Sequence, residues 1–235
     1  MNKLYVIGDS YTTPYYCVDP QESFWGLAGK ELGVEQIVNV SQPGYSFESI
    51  CQLLIGMQNQ YKYNWQKDFF IIGLPPLERI TVFDNHKDTE AKSTIFNQDW
   101  TEISTTIEAH RGLESKHFYG DDQFLITYSD RSWTETNILR EIYLLTKWLD
   151  SVDANYLISN NSKPLDKENV WGPSEFVLKY AIDHNRCLLF ENTYYSVNYN
   201  VHKPTDYDQY GWYGHHGAKG NQLFYETSIK DRLSV

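Results

Sequence analysis

The chain has 235 residues, with 20 Lys plus Arg against 31 Asp plus Glu and a formal net charge of −11. That length suits one sizeable α/β core, and the acidic balance without a basic run excludes a phosphate-backbone partner, which would need clustered Lys and Arg. Cys17, Cys51 and Cys187 are odd in number, far apart and without a CxxC pair, which argues against a disulfide framework and a zinc site and points to a reducing compartment.

Residues 4–7 (Leu4, Tyr5, Val6, Ile7) form a short apolar run that stops at Gly8 and predicts a first strand. The run is broken too soon for a signal peptide, and no stretch approaches the roughly 20 apolar residues of a membrane helix. The expectation is a soluble, cytoplasmic chain without membrane contact. Gly8-Asp9-Ser10 then makes a tight turn, in which Asp and Ser side chains bond to nearby backbone amides. A serine at the carboxyl end of a strand in an α/β sheet faces the crevice where ligands bind.

Asp19-Pro20-Gln21-Glu22 has the signature of a helix start, with Asp as N-cap, Pro at the first position and Glu three residues after the cap. One helix should run from there through Phe24, Trp25, Leu27 and Leu32 to Gly33. Residues 36–40 read as a second strand, and Ser46 caps a helix carrying Ile50, Leu53, Leu54 and Met57 at helical spacing. Residues 69–73 are apolar at nearly every position, as expected of a strand covered on both faces in a parallel sheet. Leu74-Pro75-Pro76 leaves the sheet as an extended loop. Residues 80–133 are irregular, polar and aromatic, and read as an insertion over the carboxyl edge with one short helix near 99–109.

Periodicity returns at Thr134, where Ile138, Leu139, Ile142, Leu145 and Leu149 mark one helical face. Residues 156–159 make a fourth strand, 174–184 a helix and 187–190 a fifth strand. A Tyr/Asn-rich loop then leads to His215-His216 and a last helix burying Leu223, Phe224, Thr227 and Ile229. The order predicts an α/β fold, a three-layer α/β/α sandwich on a mostly parallel five-stranded, flavodoxin-like sheet, as a single domain over 1–235.

A serine hydroxyl is a poor nucleophile without a base in reach. In a doubly wound sheet the carboxyl ends of the strands share one crevice, so a histidine in the loop after the fifth strand can reach Ser10. His215 and His216 sit where that loop joins a helix, whereas His202 lies further from it. The tandem pair also admits two plainer readings, exposed loop residues or half of a metal site with Asp206 and Asp208; no metal is expected, because further ligands at sensible spacing are lacking.

The first strand ending in Gly8-Asp9-Ser10, together with a histidine near the last helix, resembles the SGNH (GDSL-type) hydrolase family. The resemblance covers most of the chain. It implies Ser10 as nucleophile, His215 as base with His216 as the alternative, and the Gly44 amide of Gln42-Pro43-Gly44 in the oxyanion hole. His215 and Gly220 keep the family's spacing between histidine and glycine. Two blocks depart from the pattern. Gly73-Leu74-Pro75-Pro76 stands where the family has Gly-x-Asn-Asp, removing an amide donor, and Trp212 stands where an orienting Asp would precede His215. Asp208 or Asp206 then orients the imidazole, or a backbone carbonyl does so and leaves a Ser-His dyad; Asp9 and Arg79 are further candidates around the oxyanion and substrate.

The resemblance implies ester hydrolysis through an acyl-serine, without a cofactor. The 16% aromatic content, with 19 Tyr and 7 Trp, suits sugar rings or a protein interface. An acetyl ester of a carbohydrate, or another small-molecule ester, is therefore the expected substrate. The alternatives are a degenerate domain that binds glycan without cleaving it and a structural or assembly module, and an oligomer stays open.

Overall fold

The computed structural model describes residues 1–13, 19–42, 45–75, 79–83, 100–104, 131–161, 165, 181–190, 193–199 and 217–233. Five parallel strands form the main sheet: β1 (Lys3–Ile7), β2 (Gln36–Asn39), β3 (Phe69–Leu74), β6 (Asn155–Asn160) and β7 (Cys187–Leu188). Their order is β2-β1-β3-β6-β7, the flavodoxin-like doubly wound arrangement. The fifth strand is shorter than the expected 187–190.

Strand side chains alternate between two cores, as the period of two requires. Tyr5, Ile7, Phe70, Ile72, Tyr156 and Ile158 pack beneath α2 (Phe47–Gly56) and the long helix α4 (Arg131–Ser151). On the opposite face Leu4, Val6, Phe69, Ile71 and Leu157 meet α1 (Phe24–Glu31) and the last helix, α6 (Ala218–Phe224). The result is the three-layer α/β/α sandwich, with β3 wholly buried and β1 buried from Leu4 to Ile7 between two helical layers.

Local chemistry accounts for most boundaries. Ser46 caps α2 by accepting from the Ser49 amide at 3.2 Å. After α2, Gln58–Tyr61 adds a separate turn, α3, closed by Lys62 in the left-handed region at φ 51°. The single helix expected after Asp19 is instead two elements. Asp19 caps a 3-10 turn over Pro20–Glu22, and Ser23 then turns extended and caps α1 by accepting from the Gly26 amide at 2.9 Å. Two competing caps four residues apart divide the helix.

Three further expectations are corrected. Within the expected 99–109 helix, the described residues 100–104 form a strand instead: β5 (Trp100–Ser104) pairs antiparallel with β4 (Arg79–Phe83) in a two-stranded sheet. The β-branched residues of both segments suit a ladder better than a helix. The loop after β7 contains a helix, α5 (Tyr194–Tyr199), begun by Thr193, whose hydroxyl accepts from the Ser196 amide at 3.2 Å. At the C-terminus, α6 widens into a π turn over Tyr225–Ile229, so the buried face runs through Phe224, Tyr225, Ser228 and Ile229 while Leu223 is half-buried and Thr227 exposed. The helix expected at 174–184 lies mostly outside the described residues.

No helix among the described residues is long and apolar enough to cross a membrane.

Candidate active site

The site begins where β1 ends. Gly8 is required there by close approach: a Cβ would collide with the Thr12 hydroxyl and lie 3.1 Å from the Gly73 carbonyl oxygen on β3. Asp9 then organises the turn. Its backbone carbonyl accepts from the Thr12 amide at 3.1 Å, the Thr13 amide at 3.1 Å and the Thr12 hydroxyl at 2.9 Å. Its carboxylate Oδ1 accepts from the Tyr11 amide at 3.1 Å, the Asx turn that this residue type favours. Asp9 is fully buried, and its described contacts make it the brace of the turn.

Ser10 sits on top of this brace. It is 8% exposed, and none of the hydrogen bonds among the described residues engages its hydroxyl. A buried, ordered turn thus holds a serine at the carboxyl end of a central strand with its oxygen uncommitted.

Three neighbouring strand ends close around this turn. From β2, Asn39 donates Nδ2 to the Thr12 carbonyl at 2.7 Å and accepts the Ser41 amide at 3.0 Å, while the Gln42 amide donates to the Gly8 carbonyl at 3.1 Å. These bonds staple the segment preceding Pro43 to the serine turn. From β3, Gly73 lies against Gly8 and Thr12, while Leu74 and Pro75, both buried, continue the chain. From β6, Ser159 donates to Asn161 Oδ1 at 3.1 Å, Asn160 Nδ2 donates to the Leu189 carbonyl at 3.1 Å, and the Asn161 amide donates to the Leu74 carbonyl at 3.3 Å. Ser159, Asn160 and Asn161 are all fully buried.

This polar cluster was missed in the sequence. Its signal was available in three consecutive polar residues where an apolar strand ends.

The α1/α6 face carries the remaining framework. Tyr11 meets Tyr194 edge-on at 5.7 Å, and Tyr194 packs on Phe24 and Phe224. Asn221 accepts the Phe24 amide at 3.1 Å through Oδ1 and donates Nδ2 to the Gly217 carbonyl at 3.1 Å, tying the first turn of α6 to the start of α1. Gly217, which follows the tandem histidines in sequence, is the N-cap of α6. Of the residues singled out from sequence, Ser10 and Asp9 lie in the turn and Arg79 opens β4 opposite Ser104. Gly44, His202, Asp206, Asp208, His215 and His216 lie outside the described residues.

The sequence matches no protein-family model and no curated protein. Solved structures are similar across its length. A lipase from a goat rumen metagenome is 11% identical with a TM-score of 0.47, covering 99% of this chain and 97% of its own. A member of the lipolytic G-D-S-L family from Veillonella parvula is 12% identical with a TM-score of 0.43 and full coverage of both chains. A carbohydrate esterase, described as having an active site with divergent catalytic and non-catalytic binding functions, is 16% identical with a TM-score of 0.48, covering all of this chain and 69% of its own.

Proposed function

We propose that the protein is a serine carboxylic ester hydrolase with Ser10 as nucleophile. The observation that carries the reading is the Ser10 turn itself: a rigid brace at the carboxyl end of β1, with a hydroxyl no described group occupies. That oxygen attacks the ester carbonyl while His215, or its neighbour His216, takes the proton. Asp208 orients the imidazole, and the amides of Ser10 and Gly44 hold the negative charge, with Asp9 bracing the turn and Arg79 near the substrate. Collapse expels the alcohol and leaves an acyl-serine, which water hydrolyses with the same histidine as base. The abundance of Tyr and Trp favours an acetylated carbohydrate as substrate.

A second reading, a domain that binds glycan or assembles without cleaving esters, is favoured by the buried Leu74-Pro75 where an amide donor belongs in the SGNH pattern. A fluorophosphonate probe together with p-nitrophenyl acetate hydrolysis separates the two. Labelling and turnover that both disappear in Ser10→Ala support the hydrolase; an unlabelled, inactive wild type supports the second reading.

A further inference from the structure

Within the esterase reading, on which this inference rests, we propose that Asn161 supplies the oxyanion-hole amide that Leu74 and Pro75 cannot. β6 runs parallel beside β3 with Leu74 opposite Asn160, and the Asn161 amide donates to the Leu74 carbonyl at 3.3 Å. Adjacent strands lie about 4.8 Å apart, so a side chain from the end of β6 reaches the space over the end of β3. It does so here: a Cβ on Gly73 would collide with Asn161 Nδ2 and lie 2.6 Å from Thr12 Cγ2, in the serine turn. The missing side chain at Gly73 is what admits the amide.

The orientation of that amide is set by its other end. The Ser159 hydroxyl donates to Asn161 Oδ1 at 3.1 Å, which turns the NH2 group away from Ser159 and over Gly73. Asn161 is fully buried, and its Nδ2 has no hydrogen-bond partner among the described residues. A buried donor left unsatisfied destabilises a fold, so one held over Gly73, against the turn that carries an uncommitted serine, calls for an acceptor that arrives with the substrate. The oxyanion is such an acceptor. As Ser10 Oγ bonds to the acyl carbon and its proton passes to histidine, the carbonyl π pair moves onto oxygen, and the new negative charge takes the Nδ2–H. When the intermediate collapses, the pair returns to the carbonyl and the alcohol leaves with the proton.

The test uses the full chain with p-nitrophenyl acetate and a fluorophosphonate. Asn161→Ala should lower kcat by about 10²–10³ with KM changed no more than a few-fold, and slow phosphonylation of Ser10 comparably. Asn161→Asp keeps the oxygen that Ser159 needs but replaces the donor with a second oxygen, so it should retain the fold, read by Tm and circular dichroism, and lose at least as much kcat. A folded variant with wild-type kcat, or a loss confined to KM, overturns the proposal, as does failure of both variants to fold. A wild type without Ser10-dependent turnover or labelling sinks the esterase reading, and this inference with it.

Discussion

At the scale of single residues, the serine turn depends on atoms that touch because three strands end together. Gly8 has no room for a methyl group between Thr12 and the Gly73 backbone. Gly8→Ala should therefore destabilise by about 1–3 kcal/mol, the usual range for overpacking, and slow Ser10 labelling because the turn must shift. Urea denaturation with a labelling time course would check both. Asn39 offers a milder case: its Nδ2 bond to the Thr12 carbonyl at 2.7 Å ties the second strand to the turn. Asn39→Ala loses that bond and the acceptor of the Ser41 amide at a half-buried site, which should cost about 1–3 kcal/mol in urea unfolding. Gly8, Asp9 and Ser10 were legible in sequence because they are contiguous. Asn161 was visible only as one of three polar residues ending an apolar strand, because its place over Gly73 depends on a neighbouring strand.

At the scale of elements, the packing of α4 on α2 carries a charge conflict. Glu141 of α4 and Glu48 of α2 line one partly apolar groove with Cys51, Leu144 and Trp148. Burial first, and then the neighbouring Glu48 charge, push the Glu141 carboxyl above the usual carboxylate range, with Arg140 opposing. The folded state thus holds this proton more tightly than the unfolded chain does. The resulting stabilisation is complete below the ordinary carboxylate value, about 4.3, and is lost as pH rises through the raised folded value. Glu141→Gln should accordingly be more stable than wild type at pH 7, the gap closing toward pH 4. Urea midpoints at the two pH values measure it.

Helix ends show how sequence signals compete. The cap at Asp19 was read from the sequence and the one at Ser23 was not; only the geometry decided that both operate and that the helix divides. The ladder between β4 and β5 was hidden because its partners are separated by a long polar stretch, and pairing depends on register rather than on local pattern.

For the molecule as a whole, the rings of Tyr11, Tyr194, Phe24 and Phe224 join the serine turn, α5, α1 and α6 into one layer. Tyr194 is 2% exposed at their centre. Removing it in Tyr194→Ala should cost about 3–5 kcal/mol, as for other large aromatic deletions, and should also reduce Ser10 labelling at temperatures where the variant remains folded. Thermal unfolding paired with labelling at 15 °C would separate the two effects; full labelling in the folded variant would show that the turn does not lean on this layer.

The sequence by itself determined the layers and the sheet: runs apolar at every position can be satisfied only by helices on both faces, and polar breaks after them mark the crevice. It also determined the turn at Gly8-Asp9-Ser10, since a strand followed by Gly, Asp and Ser needs no distant partner to turn. The tertiary structure alone decided the split of the first helix, the β4–β5 pair, the helix after β7 and the convergence of Gly8, Thr12, Gly73 and Asn161. Those outcomes depend on which strand lies beside which, and on the few ångströms left between their ends, and no local pattern of residues encodes either.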